Sequence, residues 1–308
     1  MTPVQQFQRY VWLVDTLYSC GPLTKEEIDR KWMNNRTVNN DKTASIPERT
    51  FHRDLRAIES IFDVEVRCNR STNQYSITTN LQNASFRKWV IETMAMSNFV
   101  AECKDISKQI LVEDMPSGVC YLTPIVKAMK IRRSLTVSYQ SYFAKEKSQF
   151  EIEPYCLKSF KRRWYILAKT SKHDDLRVLA LDRMANVEMT DCPYSIPRNF
   201  DAEKYFRDFY GVIMNEKPEK VRLWTTSFRA NYLRSLPLHK SQKEVECVPE
   251  SVPQTNDGYS IFEMKVAPTF DFIQELRSLG AEVKVLAPQR LADWLRFDAE
   301  NVVKLYKE

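Results

Sequence analysis

The sequence predicts an α+β chain of several domains, and three observations carry that prediction. Apolar residues recur at helical spacing from Val4 to Phe62, and the period drops to two between Leu135 and Thr190. After Pro218, strand-like and helix-like runs follow in the order β-α-β-β-α-β. A chain of 308 residues that is 43% hydrophobic and 12% aromatic can bury real cores.

Residues 1–80 read as a winged helix-turn-helix. Val4 to Tyr18 places Phe7, Tyr10, Val11, Val14, Leu17 and Tyr18 on one helical stripe, which Gly21-Pro22 ends. Thr24-Lys25-Glu26-Glu27 is a capping box, with the Thr24 hydroxyl taking the Glu27 amide while Glu27 reaches back, and a short helix to Met33 follows. A polar loop from Asn34 to Thr43 leads to a second capping box, Ser45-Ile46-Pro47-Glu48, and a third helix. On that helix Phe51, Leu55, Ile58 and Phe62 face the core, while Arg49, Arg53 and Arg56 line the opposite face with Thr50 and His52 beside them. Val64–Cys68 and Gln74–Ile77 alternate like the strands of a hairpin, which carries Arg67 and Arg70.

Three helices and a hairpin with a basic third helix suit the DNA major groove. Arg49, Thr50, His52, Arg53, Arg56, Arg67 and Arg70 are therefore the candidate DNA-binding residues, with double-stranded DNA as partner. The plainer alternative is a solvated helix face balanced by Glu48, Asp54 and Glu59. Residues 1–80 hold eleven Lys or Arg against ten Asp or Glu, so few phosphates are neutralised per protomer and tight binding is expected to need a homodimer.

Asn83 to Glu113 reads as a long amphipathic helix, broken at Met115-Pro116-Ser117-Gly118, and Thr123-Pro124 starts another with Thr as N-cap. Residues 81–133 are thus a helical linker, serving either as a dimer contact or as a spacer. Over residues 134–192 five short strands follow: Leu135–Phe143, Phe150–Leu157, Arg163–Lys169, Leu176–Asp182 and Asn186–Thr190. Such a set suggests a small SH3-like or OB-like barrel. In the third strand Trp164, Ile166 and Ala168 share a face that reads as core, and Arg163, Tyr165, Leu167 and Lys169 share the other. In the fourth, Arg177, Leu179, Leu181 and Arg183 share a face. The net charge of +6 is concentrated here: residues 130–183 hold thirteen basic against six acidic side chains, and residues 184–308 seventeen against nineteen. Aromatic and guanidinium groups on one small sheet suit a flat anion such as a nucleotide or a nucleic-acid strand.

Tyr139, Glu153-Pro154, Arg162-Arg163-Trp164-Tyr165-Ile166-Leu167-Ala168, Arg177 and Leu181-Asp182-Arg183-Met184 resemble the WYL domain family, with Ile166 where the signature has Leu. The resemblance implies an Sm/SH3-like barrel that senses a ligand, short single-stranded nucleic acid being the favoured one. With an N-terminal winged helix it implies a bacterial transcriptional regulator. Carried over position by position, the effector pocket comprises Tyr139, Tyr165, Arg177 and Arg183, with Lys158 and Arg163 as further candidates. Two arginines can clamp phosphates while a tyrosine stacks a base. Tyr165 as surface filler and Arg183 as an ion pair with Asp182 remain the structural alternatives.

Residues 193–217 form a connector and residues 218–308 a ferredoxin-like domain, whose middle strands turn at Asn256-Asp257-Gly258. This segment resembles the C-terminal extension of WYL regulators, which implies dimer contacts and a border to the pocket. His239-Lys240-Ser241-Gln242 reads as a solvated loop or an anion contact. Five glycines leave no room for a Gly-rich phosphate loop. No Gly-x-Ser-x-Gly, His-Glu-x-x-His or Cys-x-x-Cys occurs, and the three histidines lie far apart. Neither enzyme activity nor a metal or other cofactor is expected. No apolar run of about eighteen residues and no leader-like N-terminus is found, so the expected setting is cytoplasmic without a membrane partner. The expected function is a dimeric transcriptional regulator whose barrel senses a nucleic-acid or nucleotide effector. The alternatives are a nucleic-acid-binding protein without switching, and a sensor of a small nucleotide second messenger.

Overall fold

The computed structural model describes residues 2–35, 38–39, 43, 45–78, 89, 91–93, 118–142, 144–251 and 258–307. The chain divides into two compact units, residues 1–113 and 114–308.

In the first unit, helix α1 (Pro3–Cys20) opens on a capping box between Thr2 and Gln5 and stops at Gly21, whose φ of 78° suits glycine. Its buried stripe is Tyr10, Val11, Trp12, Leu13, Val14 and Leu17; Phe7 and Tyr18, expected on that stripe, are 50% and 42% exposed because they lie at its ends. Strand β1 (Leu23–Thr24) leads into α2 (Lys25–Asn34), which carries the Thr24–Glu27 box. Helix α3 (Glu48–Phe62) begins at Pro47 without a side-chain cap. The expected Ser45–Glu48 box does not form, because the preceding residue is already tied to α2. Ile46 donates its N–H to Asp29 (3.0 Å), and its carbonyl accepts from Lys25 Nζ (2.8 Å). Strands β2 (Val66–Asn69) and β3 (Gln74–Ile77) form the hairpin, and β1 adds to β3 in an antiparallel sheet of order β1-β3-β2.

One core joins these elements. Trp12 meets Trp32 edge-on at 5.1 Å, and Phe51 meets Tyr75 at 4.9 Å. Asp54, expected to balance charge on the surface of α3, is instead fully buried and accepts Arg9 Nε at 2.6 Å. It sits between Phe51 and Ile58 on the packed face, where an ionised carboxylate persists only if a cation reaches it. Of the helix expected over Asn83–Glu113, Trp89 and residues 91–93 are helical and Ile91 joins this core. The rest, the Met115–Ser117 break and Asn256-Asp257 lie outside the described residues.

The second unit starts with a 3-10 turn (Val119–Tyr121) that runs directly into α4 (Leu122–Ile131). Tyr121 is the N-cap, so Thr123 and Pro124 occupy the first turn, where a proline is tolerated, and Thr123 does not cap. Ile125 and Ala128 of α4 pack on a sheet of β4 (Arg133–Tyr139), β5 (Ser148–Phe160), β6 (Arg163–Thr170), β7 (His173–Ala180) and β8 (Met184–Pro193). Its order is β7-β6-β5-β4-β8, antiparallel throughout. The expected closed barrel is not formed, since no ladder joins the edge strands β7 and β8 among the described residues. They are nevertheless sequence neighbours, linked through the 3-10 turn Leu181–Arg183. The four peptide steps from Ala180 to Met184 span at most about 14 Å, whereas the outer strands of a flat five-stranded sheet lie about 19 Å apart. The sheet is therefore curled but open. A register shift beside Pro154 bends β5, as a bulge does.

After the short helix α5 (Ala202–Phe206), the C-terminal elements are β9 (Glu219–Thr226), α6 (Ser227–Ser235), β10 (Lys243–Val248), β11 (Tyr259–Val266), α7 (Phe270–Ser278), β12 (Val283–Ala287) and α8 (Gln289–Leu305). The sheet order β10-β11-β9-β12 is antiparallel and follows from the split β-α-β connectivity. Phe262, Phe272 and Leu276 fill its core. His239, expected in a solvated or anion-contacting loop, is buried. Its Nε2 meets the Arg207 carbonyl (2.7 Å) and its Nδ1 the Ser241 hydroxyl (2.8 Å). Among the described residues no helix is long and apolar enough to cross a membrane.

Within this unit the β5–β6 hairpin is clasped by the connector and α7. Lys158 Nζ donates to the Gly211 carbonyl and lies 4.1 Å from the Phe206 ring. Asp271 accepts the N–H groups of Val212 (2.7 Å) and Ile213 (2.8 Å), and any side chain at Gly211 would collide with that carboxylate. Phe160, Tyr210 and Phe272 stack edge-on at 5.5 and 5.9 Å, and Lys161 Nζ reaches Glu275 at 2.8 Å. Burial pulls the Lys158 ammonium down to about 8 despite the opposing pull of Asp271, and burial pushes the Cys156 thiol up to about 11.

Removing Asp54 should leave Arg9 buried without its counter-charge. Asp54→Ala is expected to destabilise the first unit by about 3 kcal/mol in urea unfolding followed by tryptophan fluorescence. Lys158 generates a pH dependence. The unfolded chain keeps its proton up to 10.5 and the folded chain releases it above about 8, so stability rises with pH across that interval. Cys156 acts oppositely above 9, where the folded chain retains a proton that the unfolded chain loses. Between about pH 8 and 9 the wild type should therefore gain stability, and Lys158→Met should show no such gain.

Candidate functional site

On α3, Arg49, His52, Arg53 and Arg56 are exposed and Thr50 is half-buried, while Arg67 and Arg70 are exposed on the β2–β3 hairpin. Arg53 Nη2 lies 3.5 Å from Asp54 Oδ1, so the buried carboxylate touches the exposed face through its second oxygen. The His52 ring leans on Phe51 (5.8 Å), and Arg67 Nε is held by Glu65 at 2.6 Å. The Arg9–Asp54 pair and the Phe51–Ile58 stripe set the rotation of α3, and the arginine face is the outer one.

A second cluster lies at the end of the curled sheet. Tyr139 pairs with Met184, and the Gln140 N–H donates to the Arg183 carbonyl at 3.1 Å, which draws the loop after β4 against the Leu181–Arg183 turn. Gly118 covers that turn from the other side. Its φ is 67°, and an added Cβ would lie 2.5 Å from the Leu181 carbonyl carbon. Tyr142, 70% exposed, therefore sits over Arg183, with the guanidinium carbon 3.7 Å from the ring centroid. Arg163 Nη1 reaches Asp182 Oδ2 at 3.3 Å, and a hydrogen bond from Arg163, then the Arg183 charge, lower the proton affinity of the Tyr142 hydroxyl. Tyr165 feels Arg163, Asp182 and Arg183, although burial dominates and raises its pKa. A cavity of about 400 Å3 opens beside Tyr142, Lys147, Asp182 and Arg183. Among the described residues, buried Arg183 Nε and Asp182 Oδ1 have no hydrogen-bond partner. Arg163 pairs with Asp182, and Lys147 and Arg183 line the cavity beside it, so the cluster is net positive.

The structure brings together Arg163, Tyr165 and Arg183 of the sequence-derived pocket, and adds Tyr142 and Asp182. It places Tyr139 in the core at 9% exposure, edge-on to Phe150. Lys158 is opposite Tyr165 on the same sheet face but is engaged by Gly211. Arg177 departs from expectation. It pairs with Ala168, five residues along β6 from Arg163, which is about 17 Å in a strand. Paired residues share a face, so Arg177 lies on the α4 side, away from Arg163 and Tyr165. Nor does Arg183 share its face, because the strand ends at Ala180. Trp164 packs partly buried against the α4-side core, with Ile166 and Ala168, as its parity predicts.

Arg163 owes its position to an unusual turn. Phe160 pairs with Arg163 across a two-residue loop in which Lys161 (φ 46°) and Arg162 (φ 64°) are both left-handed, the pattern of a type I′ turn. Asn-Gly fills such turns readily, whereas other L-residues there cost roughly 1–2 kcal/mol each. A half-exposed ion pair such as Lys161–Glu275 returns at most about 1 kcal/mol. The ring contacts of Phe160 and Tyr210, at about 0.5–1.5 kcal/mol per pair, are needed to make up the difference.

Residues 121–189 match the WYL domain and residues 217–303 the WCX domain. No curated protein sequence matches the chain. Among solved structures it is similar to the proteasome accessory factor B/C (PafBC) of Arthrobacter aurescens, at 18% identity and a TM-score of 0.31, covering 94% of this chain and 46% of that one. The chain thus spans just under half the length of PafBC. It is also similar to a CRISPR Cas-related protein, at 9% identity and a TM-score of 0.38, covering 100% of this chain and 87% of that one. The chain thus carries a WYL domain followed by a WCX domain.

Proposed function

We propose that the chain is a homodimeric, DNA-binding transcriptional regulator whose first unit works as a winged helix-turn-helix and whose WYL sheet binds a nucleotide-bearing anion that alters operator binding. The observation that carries the effector half is the Arg183 guanidinium lying 3.7 Å over exposed Tyr142, with buried Nε unpartnered and Arg163 alongside. Guanidinium groups take phosphate oxygens and the tyrosine ring offers a stacking face for a base. For the DNA half, the support is the exposed Arg49, Arg53 and Arg56 on the outer side of α3 and Arg67 and Arg70 on the hairpin. An effector alters the operator affinity only if it binds one arrangement of the dimer better than the other.

A small nucleotide is favoured over a long strand by one feature. The cavity of about 400 Å3 is near the lower end of the range for small-molecule sites. Affinity that saturates at a dinucleotide supports the small ligand, and affinity that grows with each added base supports a strand.

Fluorescence anisotropy on a labelled duplex from the gene's own upstream region, with and without short single-stranded DNA or nucleotides, tests both halves at fixed salt. Arg53→Ala is expected to weaken duplex binding about tenfold and leave effector binding intact. Arg183→Ala should abolish the effector response and spare basal duplex binding. Equal loss of both activities in either variant would refute separate sites.

A further inference from the structure

We infer that Glu275, in the WCX domain, is a positioning residue for the anion cluster of the WYL sheet: it holds the left-handed Lys161-Arg162 turn that presents Arg163. This rests on reading the Tyr142, Arg163 and Arg183 cluster as an anion site. Four observations carry it. The turn is strained at both central residues, at φ 46° and 64°, with no glycine or asparagine to relieve it. Its first residue, Lys161, ends on Glu275 at 2.8 Å. Phe160 before the turn stacks on Tyr210, and Lys161 Nζ lies 5.7 and 5.8 Å from the Phe160 and Tyr210 ring centroids. The residue directly after the turn is Arg163, engaged with Asp182 and Tyr142.

Glu275 is therefore joined to the cluster through a rigid hairpin of four residues, Phe160 to Arg163. Without its carboxylate the turn is free to leave the left-handed conformation, which swings Arg163 out of register with Arg183. An anion must then select the fraction of molecules that still hold the turn, and the apparent affinity falls by that fraction. The anion site is thus completed from the neighbouring domain, and motion of α7 changes it without touching the ligand.

A double-mutant cycle separates this from a general charge effect. The probe is a short fluorescein-labelled oligodeoxyadenylate binding the full chain, read by anisotropy, with thermal melts confirming that each variant is folded at the assay temperature. Glu275→Ala is expected to weaken binding about fivefold, the scale of a partly exposed ion pair. In the background Lys161→Asn with Arg162→Gly, whose Asn-Gly turn adopts the same conformation unaided, Glu275→Ala should change affinity by less than about 1.5-fold. No loss in the native turn overturns the inference. An equal loss in both backgrounds also overturns it, because Glu275 then acts by a route other than the turn, and a charge effect alone would tighten anion binding. If Arg183→Ala binds the probe as tightly as the wild type, the anion-site reading falls and the inference falls with it. Loss in Arg183→Ala without loss in Glu275→Ala removes the inference alone.

Discussion

A hairpin that carries Lys158, Lys161, Arg162 and Arg163 within six residues must be neutralised from outside itself, and the second unit is arranged around that constraint. Lys161 takes Glu275, Arg163 takes Asp182, and Lys158 takes the Gly211 carbonyl with Asp271 nearby. Two of those three carboxylates come from α7. The charge surplus of residues 130–183 is therefore in part engaged within the unit. Lys158 and Lys161 bind the WYL sheet to the connector and α7, and Arg163 and Arg183 gather near Tyr142. Burying Lys158 opposes folding below its shifted pKa, and the aromatic contacts of Phe206, Tyr210 and Phe272 offset that cost.

The first unit solves a similar problem by a different route. Its third helix needs one face in the core and the other in water, yet Asp54 falls on the inner face. A buried carboxylate alone would be strongly unfavourable, and Arg9 from α1 supplies the partner. The pair adds little net stability over an apolar isostere. Its effect is to tie α1 to α3 at one rotation, and through the second Asp54 oxygen it reaches Arg53. The orientation of the arginine face is thus set from the core side of the helix.

The elements were legible in the sequence wherever period decided them. The α1 stripe, the Thr24–Glu27 box, the strand runs and the C-terminal β-α-β-β-α-β order all follow from local pattern. What failed to show was non-local. Ser45 looks like a cap until Asp29 and Lys25 claim Ile46. Arg177 and Arg183 look like neighbours on a strand until the chain leaves β7 at Ala180. Tyr142 carries no signal of its own, being an aromatic just past a strand end; it matters because a hydrogen bond 43 residues along the chain, from Gln140 to Arg183, folds it onto the cluster. Asp54 was readable in principle, since it shares the helical face of Phe51 and Ile58, and a carboxylate on an apolar face calls for a buried cation.

Asp182 sharpens what the proposed site would accept. A cluster built for inorganic phosphate alone gains nothing from a buried carboxylate, which repels the ligand at close range. Asp182 keeps Arg163 at 3.3 Å, a long contact for a charge-assisted bond, and its second oxygen is unpartnered among the described residues. A ligand that brings only negative charge must therefore bind against Asp182. One that brings a phosphate for Arg183, a flat ring for Tyr142 and an N–H donor toward Asp182 offsets that repulsion. Nucleobases with exocyclic amino groups carry such donors, and thymine carries only its ring N–H. On the proposed reading, adenine-, guanine- or cytosine-bearing ligands should thus outcompete inorganic phosphate by far more than their extra charge explains. Replacing Asp182 with Asn, which conserves shape but removes the repulsion, should narrow that gap from the phosphate side.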